Sequence, residues 1–134
     1  CYSVDQLMKT QQIEYLDILH LDTQGAELSV LKGAIKTIQH RRIRFLVIST
    51  HSYEICGDPL IHQRCVAWLQ QQGVHIICEH DVHESFSGDG LIVGSLSADD
   101  QDWVETISRN RYSESLFPNP AYYVSMRPQE SPVI

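Results

Sequence analysis

The segment LHLDTQGAELSVLKG, residues 19–33, limits the possible folds of this chain more than any other segment. Its apolar residues run up to Asp22, a turn containing Gly25 follows, and a helix-forming sequence begins directly at Ala26. This order predicts a buried β-strand, a tight turn and a helix, which is how a crossover between parallel strands begins. Ligands of open α/β sheets bind beyond the carboxyl ends of the strands, so Asp22 is a candidate active-site residue. The alternative is that Asp22 only forms the turn or caps the following helix.

The rest of the chain continues the alternation of strands and helices. We predict strands at 16–21, 43–50, 74–79 and 90–96, and helices at 3–7, 26–40, 58–73 and 99–110, the second of them interrupted at Gly33. The apolar run 43–50 favours a strand covered on both faces of a parallel sheet. About ten polar residues separate the last two strands, which we therefore expect to form an antiparallel hairpin. The predicted fold class is α/β, with parallel strands, crossover helices and a terminal antiparallel hairpin.

Composition and charge exclude several classes of partner. The 134 residues carry a net charge of −7 at pH 7, which argues against electrostatic binding to nucleic acid or to an anionic membrane. No apolar run approaches the roughly 20 residues that a membrane-spanning helix needs. None of the four cysteines forms a CxxC pair, so we interpret them as free thiols in a reducing, cytoplasmic compartment. Zinc ligands and disulfides are the alternatives.

Polar residues follow three of the predicted strands. Asp22 ends the first strand, His51 follows the second, and His80, Asp81 and Glu84 lie at the end of the third. The carboxyl ends of parallel strands meet at one side of a sheet, so these side chains are expected to converge there. The alternative for His51 is a solvated residue at a strand end.

Two stretches resemble the FkbM-type methyltransferases. The first contains the matching residues Asp17, Leu19, Leu21, Asp22, Gly25, Ala26, Glu27, Val30, Leu31, Lys32 and Gly33. The second comprises GDPL at 57–60 and EHDVHESFSGDGL at 79–91. His20 and the pair Thr23-Gln24 depart from the family pattern. The resemblance covers roughly residues 3–96, and the tail beyond is not diagnostic.

The resemblance implies an S-adenosylmethionine-dependent methyltransferase that methylates a hydroxyl of a glycan or a secondary metabolite. It also implies that the chain is the C-terminal half of a Rossmann-like methyltransferase sheet, because the glycine-rich loop that binds most of the cofactor is missing. Residues 1–98 would form a partial domain, with a helix and tail at 99–134 packed on it. We expect this chain alone to be inactive, with an open apolar edge on its first strand through which it self-associates.

Roles for individual residues follow from the same resemblance. His51 is the favoured general base and His80 the second choice, because a neutral imidazole can accept the proton of a hydroxyl. Asp22 orients the base or contacts the cofactor, together with Thr23. Residues of the loop between the last two strands would bind the acceptor: Asp81, Glu84, Ser85 and Asp89. The alternative for this loop is a solvated hairpin connection, and Glu27 is interpreted as a helix-start carboxylate.

Two other functions fit parts of the sequence. A metal-dependent hydrolase would use Asp22, His51 and the loop from His80 to Glu84, whose side chains are all legitimate metal ligands. No closed set of ligands is evident from their spacing, so we predict no metal. A non-catalytic half-domain that binds a partner through the open sheet edge is the other alternative.

Overall fold

The computed structural model describes residues 1–85 and 87–109. Its elements, in chain order, are α1 (Val4–Thr10), β1 (Leu16–Leu21), α2 (Glu27–Lys32), α3 (Ile35–Gln39), β2 (Ile43–Thr50), α4 (Tyr53–Cys56), α5 (Ile61–Gln71), β3 (His75–His80) and β4 (Gly90–Ser95), followed by a 3₁₀ turn (Ala98–Asp100). All four predicted strands are present. The short helix α4 was not predicted.

The four strands form one mixed sheet in the order β1-β2-β4-β3. β1 and β2 are parallel, whereas β4 runs antiparallel to both of its neighbours. The predicted crossover between β1 and β2 and the predicted hairpin of β3 and β4 are therefore confirmed. β3 has the same direction as β2 but does not pair with it, because β4 lies between them. The carboxyl ends of β1, β2 and β3 consequently share one side of the sheet.

The prediction that β2 is buried on both faces is wrong for the described residues. Leu46, Ile48 and Thr50 are fully buried, whereas the alternating residues Phe45 and Val47 are only partly covered. Successive side chains of a strand point to opposite faces, so one face of β2 is fully packed and the other is only partly covered. The packed face lies in a core built mainly from these residues of the helices and strands: Leu31, Ala34, Ile38, Leu46, Ile48, Ile61, Cys65, Leu69 and Ile92.

The helix ends follow local chemistry. Ser3 caps α1 through a reciprocal capping box with Gln6, as predicted for a helix that starts there. The predicted helix 26–40 is broken into α2 and α3 after Gly33. α5 begins at Ile61 rather than beside Asp58, because the Asp58 carboxylate accepts the Leu60 N–H in a turn before the helix. The positive φ of 75° at Gly73 ends it.

The predicted helix at 99–110 is wrong for the residues described. Only Ala98–Asp100 form a 3₁₀ turn, and residues 101–109 have no regular structure. The Glu105 N–H donates to the Ile77 carbonyl, so the chain is drawn along β3 instead of closing helical turns. Trp103 and Val104, which would lie on the inward face of such a helix, are 47% and 73% exposed. Residues 110–134 of the predicted tail lie outside the described part.

β1 lies at the edge of the sheet, with β2 as its single partner among residues 1–85 and 87–109. Ile18 in the middle of β1 is 58% exposed. None of the helices in these residues has the length and apolar character needed to cross a membrane.

Candidate active site

His51 occupies the centre of a polar cluster beyond the ends of β1 and β2. Its side chain is only 2% exposed and lies between two carboxylates. Nδ1 is 2.9 Å from Glu27 Oε1, and Nε2 is 3.0 Å from Asp22 Oδ1. The parallel pairing of β1 with β2 places their carboxyl ends side by side, which brings Asp22 next to His51.

Glu27, the first residue of α2, is completely buried. Its Oε1 accepts the Thr23 N–H at 3.2 Å and the Gly25 N–H at 3.0 Å, in addition to the contact with His51. Burial alone would raise the pKa of Glu27, but the hydrogen bonds from Gly25 and His51 outweigh it and the pKa is lowered. Glu27 is therefore an ionised acceptor that holds a proton on Nδ1 of His51.

The turn between β1 and α2 needs the glycine at position 25. Gly25 has a φ of 104°, and a Cβ placed there would lie 2.6 Å from the Cβ of Cys56 in α4. A side chain at this position would push α4 away from the turn that supplies two N–H groups to Glu27. The local sequence thus determines how closely Glu27 and His51 approach each other.

Nε2 of His51 faces side chains that are more exposed to solvent than Glu27. Gln24 Nε2 lies 3.3 Å from this nitrogen and Asp89 Oδ1 lies 4.0 Å from it. The side chains of Asp22 and Asp89 are 52% and 40% exposed, in contrast to buried Glu27. The ring therefore has one buried, fixed nitrogen and one nitrogen directed at polar groups that solvent and ligands can reach.

A cleft of about 140 Å³ adjoins this cluster. It is bounded by the start of α5 and by the loop after β3, and its lining residues include His51, Tyr53, Asp58, Ile61, His62, Asp81 and His83. Its lining combines apolar side chains with hydrogen-bonding groups, in a volume smaller than the roughly 300 Å³ of a typical small-molecule pocket.

Comparison with protein families gives a match to the methyltransferase FkbM domain over residues 1–113. The chain belongs to the FkbM methyltransferase domain family. Searches among curated proteins and among solved structures found no significant match. The resemblance derived from the sequence is thus confirmed, and it makes this FkbM domain a methyltransferase domain.

The structure brings together part of the predicted site of the FkbM domain. Asp22, His51 and Asp89 meet around one imidazole, and Thr23 supports them through its N–H to Glu27. Asp89 had been predicted only as an acceptor-binding residue.

Other predicted residues take part in local structure. His80 pairs with Leu91 in the sheet and its ring contacts the Asp81 carbonyl, with no contact to His51 in the part of the chain described. Asp81 accepts the N–H groups of His83 and Glu84 and so shapes the turn, although it also borders the cleft. Ser85 is buried and hydrogen-bonds Ser87. Whether these residues bind an acceptor stays a prediction.

Sequence reasoning missed Glu27 as a member of the site. No local pattern indicates this role, because a glutamate at the start of a helix is ordinarily exposed. His62 is buried and its ring lies between Thr50 and Glu79, with contacts of 2.9 Å and 3.0 Å.

Across residues 1–85 and 87–109, no three His, Cys, Asp or Glu side chains are arranged to hold a metal ion. All four cysteines are free; Cys65 is buried, and burial raises its pKa to about 12. Cys1 is exposed, and Cys56 and Cys78 are partly buried.

Proposed function

We propose that this FkbM domain belongs to an S-adenosylmethionine-dependent O-methyltransferase, and that His51 is its general base. The observation that carries this proposal is the contact of His51 with Glu27 at the carboxyl ends of two parallel strands, in a chain of a methyltransferase family. A buried carboxylate that orients a histidine is the arrangement by which many enzymes prepare a base.

The chain's own residues perform the proton transfer in this account. Glu27 holds the proton on Nδ1, and in the neutral ring the lone pair of Nε2 accepts from the Gln24 side-chain amide at 3.3 Å. The 3.0 Å contact of Nε2 with the Asp22 carboxylate belongs to the protonated ring. Nε2 takes the proton from the acceptor hydroxyl as the oxygen becomes nucleophilic. The resulting imidazolium lies 2.9 Å from Glu27 and 3.0 Å from Asp22, which stabilise its charge.

The described residues suit one end of S-adenosylmethionine. When bound, this cofactor supplies a methyl group on a positively charged sulfur. The Asp22 carboxylate, half exposed at the strand end, is suited to face that charge. The hydroxyl of Thr23 is buried without a hydrogen-bond partner, so it has a donor and acceptor to offer. Residues 1–85 and 87–109 contain no glycine-rich loop after a strand that could bind the rest of the cofactor. We therefore assign to Asp22 and Thr23 only the end of S-adenosylmethionine that carries the sulfonium.

The acceptor is proposed to be a hydroxylated molecule, a glycan or a secondary metabolite. Asp89, beside Nε2, is placed to accept a hydrogen bond from a hydroxyl adjacent to the one that reacts. The cleft lined by Tyr53, Asp58 and Asp81 offers further oxygen acceptors beside apolar surface. The net charge of −7 makes a polyanionic acceptor unfavourable.

We also propose that the sheet corresponds to the C-terminal half of a Rossmann-like methyltransferase sheet. The terminal antiparallel hairpin supports this. In such sheets the last strand of the chain is antiparallel and lies between its two predecessors, as β4 lies between β2 and β3 here. Cytoplasmic location and a partial domain at residues 1–98 remain part of the same proposal.

Calorimetric titration tests the cofactor assignment. S-adenosylmethionine and S-adenosylhomocysteine, whose sulfur carries no charge, are each titrated into the wild type, into Asp22→Asn and into the control Asp17→Asn. Asp17 is an exposed residue near the start of β1, about 16 Å along the strand from Asp22. We expect Asp22→Asn to weaken the binding of S-adenosylmethionine about tenfold more than the binding of S-adenosylhomocysteine. Equal losses for the two compounds would contradict a contact between Asp22 and the sulfonium.

A further inference from the structure

Arg109 lies outside the cluster around His51, and two chains of contacts lead from it towards that cluster. One ends at Thr50, which precedes His51, and the other follows the loop that carries Asp89. It ends the segment 101–109, which follows β3 and is held there by the hydrogen bond from Glu105 N to the Ile77 carbonyl. The ring of His75 also contacts the Trp103 carbonyl at 2.7 Å, and Trp103 packs edge-on against Phe45. These contacts hold segment 101–109 along β3, so that the guanidinium of Arg109 lies at the end of that strand.

The guanidinium of Arg109 joins two carboxylates. Nη2 donates to Glu79 Oε1 at 2.8 Å and to the Glu79 carbonyl at 2.7 Å, while Nη1 donates to Glu84 Oε2 at 2.6 Å. Burial would raise the pKa values of both glutamates, but the hydrogen bonds from Arg109 lower them overall. The two terminal nitrogens of the guanidinium thus each donate to a different carboxylate.

The first chain runs through the protein interior. The other oxygen of Glu79, Oε2, is 3.0 Å from His62 Nε2, and His62 Nδ1 is 2.9 Å from Thr50 Oγ1. Thr50 is fully buried and directly precedes His51. Contacts from Arg109 thus reach the residue that directly precedes the proposed base.

The second chain runs through the loop after β3. Glu84 accepts the Asp81 N–H, and Asp81 in turn accepts the Glu84 N–H. Farther along the loop, Ser85 and Ser87 bond to each other and the Ser87 hydroxyl accepts the Asp89 N–H. Arg109 is anchored at one end of this loop, and Asp89 at the other end faces His51.

We propose that Arg109 is a positioning residue of the methyl-transfer site, which it orients through Glu79 on one side and Glu84 on the other. This inference rests on the proposed function of His51. Its direct consequence is structural: without Arg109, the loop 81–89 and the ring of His51 lose their fixed arrangement, while the core is retained.

The experiment compares Arg109→Ala and Arg109→Lys with wild type by amide hydrogen exchange and by ¹⁵N NMR of the histidine rings. The control is Arg44→Ala, because Arg44 is similarly exposed (45% against 48%) and pairs with Asp100 at the far end of β2 from His51. We expect amides of the loop to exchange about tenfold faster in Arg109→Ala, with the β2 amides unchanged. The ring signals of His51 should shift in this variant and not in Arg44→Ala.

The lysine variant distinguishes positioning from bulk charge. A single ammonium can contact one of the two glutamates at a time, so Arg109→Lys should restore the loop only in part. Loop exchange and His51 signals in Arg109→Ala that match those of Arg44→Ala would overturn the inference.

Two further variants apply if Arg109→Ala does not fold. Glu84→Gln weakens only the loop chain, and Glu79→Gln weakens only the interior chain. We expect the first to speed loop exchange and the second to shift the ring signals of His62 and His51; no change in either would also overturn the inference. These readouts need no methyl transfer, so failure of the proposed function and failure of this inference are distinguishable.

Discussion

The two nitrogens of His51 have different surroundings, and this asymmetry underlies the proposed chemistry. Nδ1 faces Glu27, which is fully buried and held by backbone N–H groups. Nε2 faces Asp22 and Asp89, which are partly exposed. A base needs one nitrogen fixed and the other reachable, and the two sides of the ring meet these requirements separately.

The variant Glu27→Gln tests the buried contact. The amide replaces an ionised acceptor of three hydrogen bonds, so we expect the free energy of unfolding to fall by about 2 kcal/mol. Urea denaturation at neutral pH measures this loss. The matched control is Glu14→Gln, an exposed residue before β1, which should change stability by less than about 0.5 kcal/mol. A loss no larger than that of the control would show that Glu27 is not an ionised partner of His51.

Asp22 and His51 could be predicted from the sequence because each directly follows an apolar strand, and neighbouring parallel strands bring their ends together. Glu27 could not be assigned in this way, since a glutamate at a helix start is ordinarily solvated. Its burial depends on the close approach of α4 to Gly25, a tertiary contact that no local pattern encodes. The role of Asp89 likewise depends on the path of a long loop.

At the scale of the elements, close contact between β2, β4 and α5 depends on Gly90. A Cβ at this position in β4 would overlap the Thr50 hydroxyl and would lie 2.8 Å from His62 Nδ1. The absence of a side chain at Gly90 therefore allows the buried hydrogen bond between Thr50 in β2 and His62 in α5 to form.

The variant Gly90→Ala should separate β4 from the α5 side and break that hydrogen bond. We expect a loss of about 2–3 kcal/mol in the free energy of unfolding, measured by thermal or urea denaturation. Gly57→Ala is the control, because its Cβ would meet nothing within 4 Å although its φ is 69°. The control should cost about 1 kcal/mol from backbone strain alone. Equal losses in the two variants would contradict the steric role of Gly90.

The strands were predictable at this scale because short apolar runs bounded by turn residues leave few alternatives. The segment 99–109 was not, since its spacing of Trp103, Val104 and Ile107 also suits a helix. Its conformation is decided by pairing with β3, through Glu105 and Ile77, which a local pattern cannot anticipate. The single covered face of β2 was missed for a related reason: a strand's apolar content does not reveal which face is packed.

For the whole molecule, acid should weaken the fold in a defined range. The pKa values of Glu27, Glu79, Glu84 and Asp100 are all lowered in the folded state. A lowered folded pKa contributes stability that is present above the unfolded value, about 4 for carboxylic acids, and is lost as pH falls through the folded values. We expect the free energy of unfolding to decline steeply below about pH 4.5, and less steeply in Arg109→Ala. A flat profile between pH 6 and pH 3 would contradict this.

The exposed edge of β1 is proposed to pair with a second copy of the chain. Its backbone groups lack a strand partner on one side in the described residues, and Ile18 is 58% exposed. A charged residue on an edge strand opposes such pairing, so Ile18→Lys should shift the population to monomer. Sedimentation velocity measures the shift, with Ile55→Lys on α4 as the control. A wild-type protein that stays monomeric at high concentration would contradict pairing through the edge of β1.

Methyl transfer by the protein tests the central role of His51 most directly. Labelled S-adenosylmethionine is supplied with hydroxylated acceptors, and the wild type is compared with His51→Ala and with the control His20→Ala, an exposed residue of β1. We expect His51→Ala to reduce kcat by about 10²-fold or more while the Kd of the cofactor stays nearly unchanged, and His20→Ala to retain wild-type turnover. Turnover of His51→Ala within about threefold of wild type would show that His51 is not the base.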